Sequence, residues 1–191
     1  VALLKRSGGS SSSGSRASSS SSNAGSSGSS NRSSQESVQL QALLAIRELI
    51  RCSEAGRAAL QAADGIEALV WLLDTASASP ELLVEVTGLL VELPVGSEER
   101  TAAATAAGAY DVLAPLLSHP NRTVQHQAAW ACRNLAWGTR ANRVAAVNAG
   151  CVPPLLRLLH RSGPVQVQAA AALSNMAQGG RPCAQALLDA G

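Results

Sequence analysis

Trp130 and Asn134 are the residues whose types and spacing best suit chemistry, and that chemistry is recognition rather than bond-making. Four positions apart on a helix, they project from one face. An indole is a wide, flat apolar wall. A carboxamide carries an acceptor and two donors, enough to pair with both the C=O and the N–H of an extended peptide. The carboxamide recurs at Asn175, 41 residues on, where Ala171 replaces the indole. Upstream, the equivalent pairs read Gly88 with Glu92 and Leu44 with Glu48. The candidate binding set is therefore Trp130, Asn134, Asn175, Arg133, Glu92 and Glu48. A second reading stays open for the carboxamides, which can bond backbone between neighbouring helices, and for Trp130, which can pack between units.

Nothing in the chain suggests catalysis. There is no Gly-rich phosphate loop, no His/Cys/acid cluster with metal-ligand spacing and no strand–turn–helix serine. Residues 112–188 hold seven Arg and no acid, which excludes paired-carboxylate chemistry there. Cys52, Cys132, Cys151 and Cys183 are far apart and form no Cys-x-x-Cys pair. They read as small hydrophobes in a reducing compartment, so an intracellular, cytoplasmic or nuclear location is expected, with no metal and no cofactor. His119 and His160 fall at equivalent helix ends, where positive charge suits the dipole. Trp71 and Trp137 read as core or rim. No run of 18 apolar residues is present, so no membrane span is expected. A nucleic-acid partner is not expected either, since the Arg-rich half lacks Lys and aromatic residues are few.

The elements that must position these residues repeat. Gly65, Gly108, Gly150 and Gly191 each close an Ala/Asp-rich stretch and lie 43, 42 and 41 residues apart. After three of them comes an apolar segment ending in Leu72-Leu73, Leu116-Leu117 or Leu158-Leu159. A period near forty means stacked helical units with thin, Ala-rich layers. Each unit reads as two short helices and a longer third. In the clearest, 140–149 ends at Gly150, 151–160 starts on Pro153 and Pro154, and Ser162-Gly163-Pro164 opens a long helix over 165–178. Ser79-Pro80-Glu81 and His119-Pro120-Asn121 open the two earlier long helices.

Residues 36–51 read as one more third helix, followed by units over about 52–94, 95–137 and 138–179, and the start of another over 180–191. Residues 1–6 mirror the end of a second helix at 157–161. The Ser/Gly-rich stretch 7–35 then reads as a disordered insertion between second and third helices; seventeen of the first 35 residues are Ser, leaving almost nothing to bury. Both ends fall inside units, as expected of a piece of a longer chain. Ser7, Ser18 and Ser33 follow basic residues and are candidate phosphorylation sites. Charge is polarised: residues 36–111 carry twelve acids against four Arg, whereas 112–188 carry only Arg. A partner basic toward the first half and acidic or neutral toward the second is expected.

Residues 124–136 (VQHQAAWACRNLA), 149–159 (AGCVPPLLRLL) and 165–177 (VQVQAAAALSNMA) resemble the armadillo-repeat family. The resemblance covers about residues 36–191 and implies an all-α, right-handed superhelical solenoid of three-helix repeats, with the third helices lining a concave groove. It implies a non-catalytic scaffold that binds other proteins through an extended peptide or partner helix, with no small-molecule substrate. The Trp130/Asn134 pair and Gly138-Thr139 resemble importin-alpha, which implies nuclear import of basic signals; the absence of acids around Trp130 and Asn175 works against a basic peptide there. The 133–136 run (RNLA) resembles vacuolar-type and plant U-box armadillo proteins, which implies the substrate-binding array of a ubiquitin ligase.

Overall fold

The computed structural model describes residues 27–75 and 79–190, with side chains over 34–74 and 79–190. Every element among the described residues is an α-helix: α1 (Ser27–Cys52), α2 (Glu54–Ala62), α3 (Gly65–Thr75), α4 (Pro80–Glu92), α5 (Glu98–Ala106), α6 (Ala109–Leu116), α7 (Arg122–Ala136), α8 (Arg140–Asn148), α9 (Val152–Leu159), α10 (Pro164–Ala177) and α11 (Arg181–Ala190). The chain is an all-α solenoid. The long helices α1, α4, α7 and α10 stack in sequence, each on the one before, and the shorter helices lie behind them.

Local chemistry explains why the units begin and end where they do. The first short helix of each unit is capped by an equivalent hydroxyl: Ser53, Ser97 and Thr139 accept from the N–H groups of Gly56, Arg100 and Asn142 at 2.9, 3.2 and 3.3 Å. Each such bond satisfies one of the donors that a helix start leaves unpaired. Asn121 Oδ1 accepts from Thr123 and Val124 and starts α7 in the same way. Between first and second helices the backbone turns through positive φ, at Gly108 (82°) and Gly150 (77°). In the earliest unit that turn is made by Asp64 (53°), one position before the expected glycine. Gly65 is required for a different reason: a Cβ there would sit 2.4 Å from the Leu60 side chain.

The core runs the length of the stack. Leu43, Ile50, Leu89, Leu90, Leu113, Leu135, Leu155 and Met176 are wholly enclosed. On α7, Ala128, Ala129, Ala131 and Ala136 are also wholly buried, so neighbouring helices pack against backbone and methyl groups rather than long side chains.

The upstream boundary differs from expectation. Helix α1 begins at Ser27, so residues 27–35 are helical rather than part of a disordered insertion. Adding a residue to an existing helix forms one hydrogen bond for each residue ordered, and α1 is anchored downstream by Leu43 and Ile50. The expectations for residues 1–6, 7–26 and 191, and those for the side chains of Ser7, Ser18 and Ser33, lie outside the described residues.

Candidate functional site

Asn134 and Asn175 occupy the same place on successive long helices and make the same bond. Asn134 Nδ2 donates to the Val91 carbonyl of α4 at 2.9 Å, and Asn175 Nδ2 donates to the Arg133 carbonyl of α7 at 3.0 Å. Each carboxamide thus reaches back one helix and ties it to its neighbour. The Val91 carbonyl lies in the last turn of α4, where no intrahelical N–H is left to meet it. In both Asn residues Oδ1 accepts nothing among the described residues, and one N–H is unspent.

Both carboxamides line one cavity of about 350 Å³, together with Arg133 and Trp137 of the α7 end, Thr101 of α5, and Pro94, Val95 and Gly96. The cavity exists because α4 stops early. Pro94 offers no N–H to continue the helix, and Gly96 turns the chain at φ 77°. The wall is apolar and open: Trp137 is 64 % exposed and Val95 55 %. Arg133 holds its side chain against Gln168 of α10, Nη1 to Oε1 at 3.0 Å.

The indole on this cavity is Trp137, not Trp130. Trp130 is half-buried, packs on the core and meets His126 at a tilt, with ring centroids 5.8 Å apart and planes at 57°. Burial holds the His126 imidazole below its ordinary pKa. Trp137 was legible as a site residue in one respect: it is three positions after Asn134, on the same helix face. Trp71, the remaining indole, packs against the core.

Glu48 and Glu92 do not reach the cavity. Glu92 lies 4.0 Å from Arg51, and Glu48 is also 4.0 Å from Arg51. Farther toward the N-terminal ends of the long helices, Glu85 pairs with Arg47. Glu85 and Glu81 line a second cavity of about 360 Å³ between α1, α4 and the start of α7.

Arginines also close helix ends. Arg143 donates to the carbonyls of Ala136 (3.0 Å), Gly138 (3.1 Å) and Trp137 (3.4 Å) at the end of α7 and to Gln178 (3.4 Å) at the end of α10. Arg57 makes the equivalent bond to Ile50 at 2.7 Å. Arg100, 5 % exposed, reaches Glu54 at 2.6 Å. Arg100, with Arg57 adding to it, holds the Glu54 carboxyl below the usual carboxylate range.

His119 Nδ1 accepts the Asn121 N–H at 3.1 Å, in the turn that leads into α7. Cys132, Cys151 and Cys183 are buried and Cys52 is exposed, all as free thiols. The Cys132 thiol is pushed up by its hydrogen bond with Cys151 and by burial. Among the described residues no group of three or more His, Cys, Asp or Glu is placed to hold a metal, and no helix is long and apolar enough to cross a membrane.

Comparison with known proteins adds to this geometry. A family model described as Armadillo/beta-catenin-like repeat matches residues 139–178. Importin subunit alpha-2 of Caenorhabditis elegans is 40% identical over 63 residues, which is 32% of this chain and 12% of that protein. Among solved structures, the chain resembles a crystallised engineered protein with a TM-score of 0.75 and 33% identity, covering 81% of this chain and 62% of that one. It also resembles a designed armadillo repeat protein in complex with the peptide (KR)4, with a TM-score of 0.74 and 29% identity, covering 82% and 69%.

Proposed function

We propose, from the premise that this chain is an armadillo-repeat protein, that it is a scaffold whose long helices bind an extended peptide segment of another protein. The observation that carries the reading is the pair of carboxamides. Asn134 and Asn175 are fixed by their bonds to Val91 and Arg133, so each holds an acceptor and a donor in place at one cavity. Pre-set donors and acceptors cost little ordering entropy on binding. An extended peptide presents C=O and N–H groups at a regular spacing that such a row can meet, and the open Trp137 and Val95 surface suits an apolar side chain beside them.

The bound segment is neutral or acidic where it crosses Arg133. Lys or Arg at that point would meet a like charge with no acid on α7 or α10 to offset it. A designed relative that holds (KR)4 and a partial match to importin subunit alpha-2 support a second reading, capture of basic segments. On that reading the basic side chains would lie toward Glu48 and Glu92, upstream along the same row of long helices.

The test is selection from a phage-displayed library of random peptides against the wild-type chain, repeated with the Asn134→Ala/Asn175→Ala variant. Neutral or acidic peptides that bind wild type and not the variant are the expected result. Enrichment of Lys/Arg-rich peptides favours the second reading. Peptides that bind both proteins equally, or no enrichment at all, overturn the groove assignment.

A further inference from the structure

Where the start of α7 meets the loop between α9 and α10, Arg122, Gln125, His160, Arg161, Ser162 and Val165 enclose a cavity of about 250 Å³. It lies at the opposite end of α7 from Asn134, roughly 18 Å away at the rise of a helix. Its two guanidinium groups come from different units, and neither has a hydrogen bond or ion pair among the described residues. Most arginines elsewhere among the described residues are used: Arg47 holds Glu85, Arg100 holds Glu54, and Arg143 closes two helices. Here no acid lies within residues 112–188 to neutralise the pair.

A second, independent feature marks the same place. Gln125 is 7 % exposed, lines the cavity, and its carboxamide has no hydrogen-bond partner among the described residues. The rest of the residue is packed away, so the carboxamide is held at the cavity with its donors and acceptor uncommitted, ready to meet a ligand. Asn121 takes the Thr123 and Val124 N–H groups, so the attraction comes chiefly from the side chains and the helix field.

We propose that this cavity binds the phosphate group of a phosphoserine carried on a peptide. Two guanidinium forks, an imidazole, a hydroxyl and a carboxamide exceed what one carboxylate can use, and they match a doubly charged group with three acceptor oxygens. Nothing in this assignment needs the groove at Asn134 to be occupied, so the two proposals stand or fall separately.

The probe is a peptide of residues 12–24 of this chain, made with and without phosphate on Ser18, in a fluorescence anisotropy titration against the whole chain. Binding about tenfold or more tighter for the phosphorylated form is expected, with inorganic phosphate displacing it. Arg122→Gln/Arg161→Gln removes the difference between the two peptides; both arginines are exposed, so the fold tolerates the change. Arg157→Gln, an exposed arginine outside the cavity that bonds Ser118, keeps the difference, as does Asn134→Ala. Equal affinity for both peptides overturns the proposal, as does failure of phosphate to compete. So does an equal loss in Arg157→Gln, which would mean that the net positive field alone attracts the phosphate.

Discussion

Replacing Asn134 by Ala separates two roles that one side chain fills. The structural role is a single 2.9 Å bond to the Val91 carbonyl. Losing one such half-buried bond costs about 1 kcal/mol, and in a chain of this size that lowers Tm by about 2–4 °C. The binding role uses the Oδ1 and the second N–H, two further bonds to a peptide worth about 1 kcal/mol each, or together about thirtyfold in Kd. Asn142 is the internal control. Its Nδ2 bonds the Leu135 carbonyl at 3.4 Å, it is 2 % exposed, and it does not line the cavity. Asn142→Ala therefore lowers Tm and leaves peptide affinity intact, whereas Asn134→Ala lowers Tm and weakens the peptide. Thermal unfolding followed by circular dichroism gives the first quantity, and anisotropy with a library-selected peptide gives the second. If Asn134→Ala and Asn142→Ala both lower Tm and neither changes Kd, the carboxamide is a clamp only and the groove reasoning fails.

The other predictions separate wall, brace and charge. Trp137→Ala weakens the selected peptide about tenfold with Tm unchanged, while Trp130→Ala lowers Tm by about 4–8 °C through lost packing; the reverse pattern would return the ligand wall to Trp130. Arg143→Met keeps the aliphatic stem but removes the donors to four carbonyls at two helix ends, so Tm falls by about 4–8 °C, and an unchanged Tm would mean those bonds add nothing net. Because Arg100 and Arg57 hold the Glu54 carboxyl below its unfolded pKa, its contribution is complete above the ordinary carboxylate range and lost as pH falls through the folded value. Glu54→Gln therefore lowers Tm near neutrality and converges on wild type in acid; a difference that persists in acid would point to packing instead.

How far the sequence could be read follows from how local each cause is. The start of α4 is set by Ser79 and Pro80, the end of the α4 unit by Pro94, and the turn before α9 by Gly150; all act within a few residues and are visible as letters. The repeated carboxamides were equally visible, but what they touch was not, because Val91 and Arg133 lie a whole unit upstream. Trp137 was harder still. Its exposure depends on Val95 and Gly96 turning away some forty residues earlier and leaving the cavity open. The early start of α1 escaped for the opposite reason. Ser- and Gly-rich sequence has poor local propensity, and only the downstream anchor at Leu43 and Ile50 shows why helix continues into it.

Net charge described the groove less well than pairing does. The excess of acids over residues 36–111 predicts a strongly anionic first half, yet Arg47 sits on Glu85, and Arg51 stands 4.0 Å from both Glu48 and Glu92. Those acids are partly neutralised from within, and exposed pairs of this kind screen further with salt. In the second half the positive charge divides by use. Arg143 is spent on helix carbonyls and Arg133 on Gln168, while Arg122 and Arg161 are spent on nothing in the described chain. The polarity that a ligand meets is therefore set less by the sum of charges than by which arginines the fold leaves unused, and two of those, Arg122 and Arg161, meet at the start of α7 rather than along the carboxamide row.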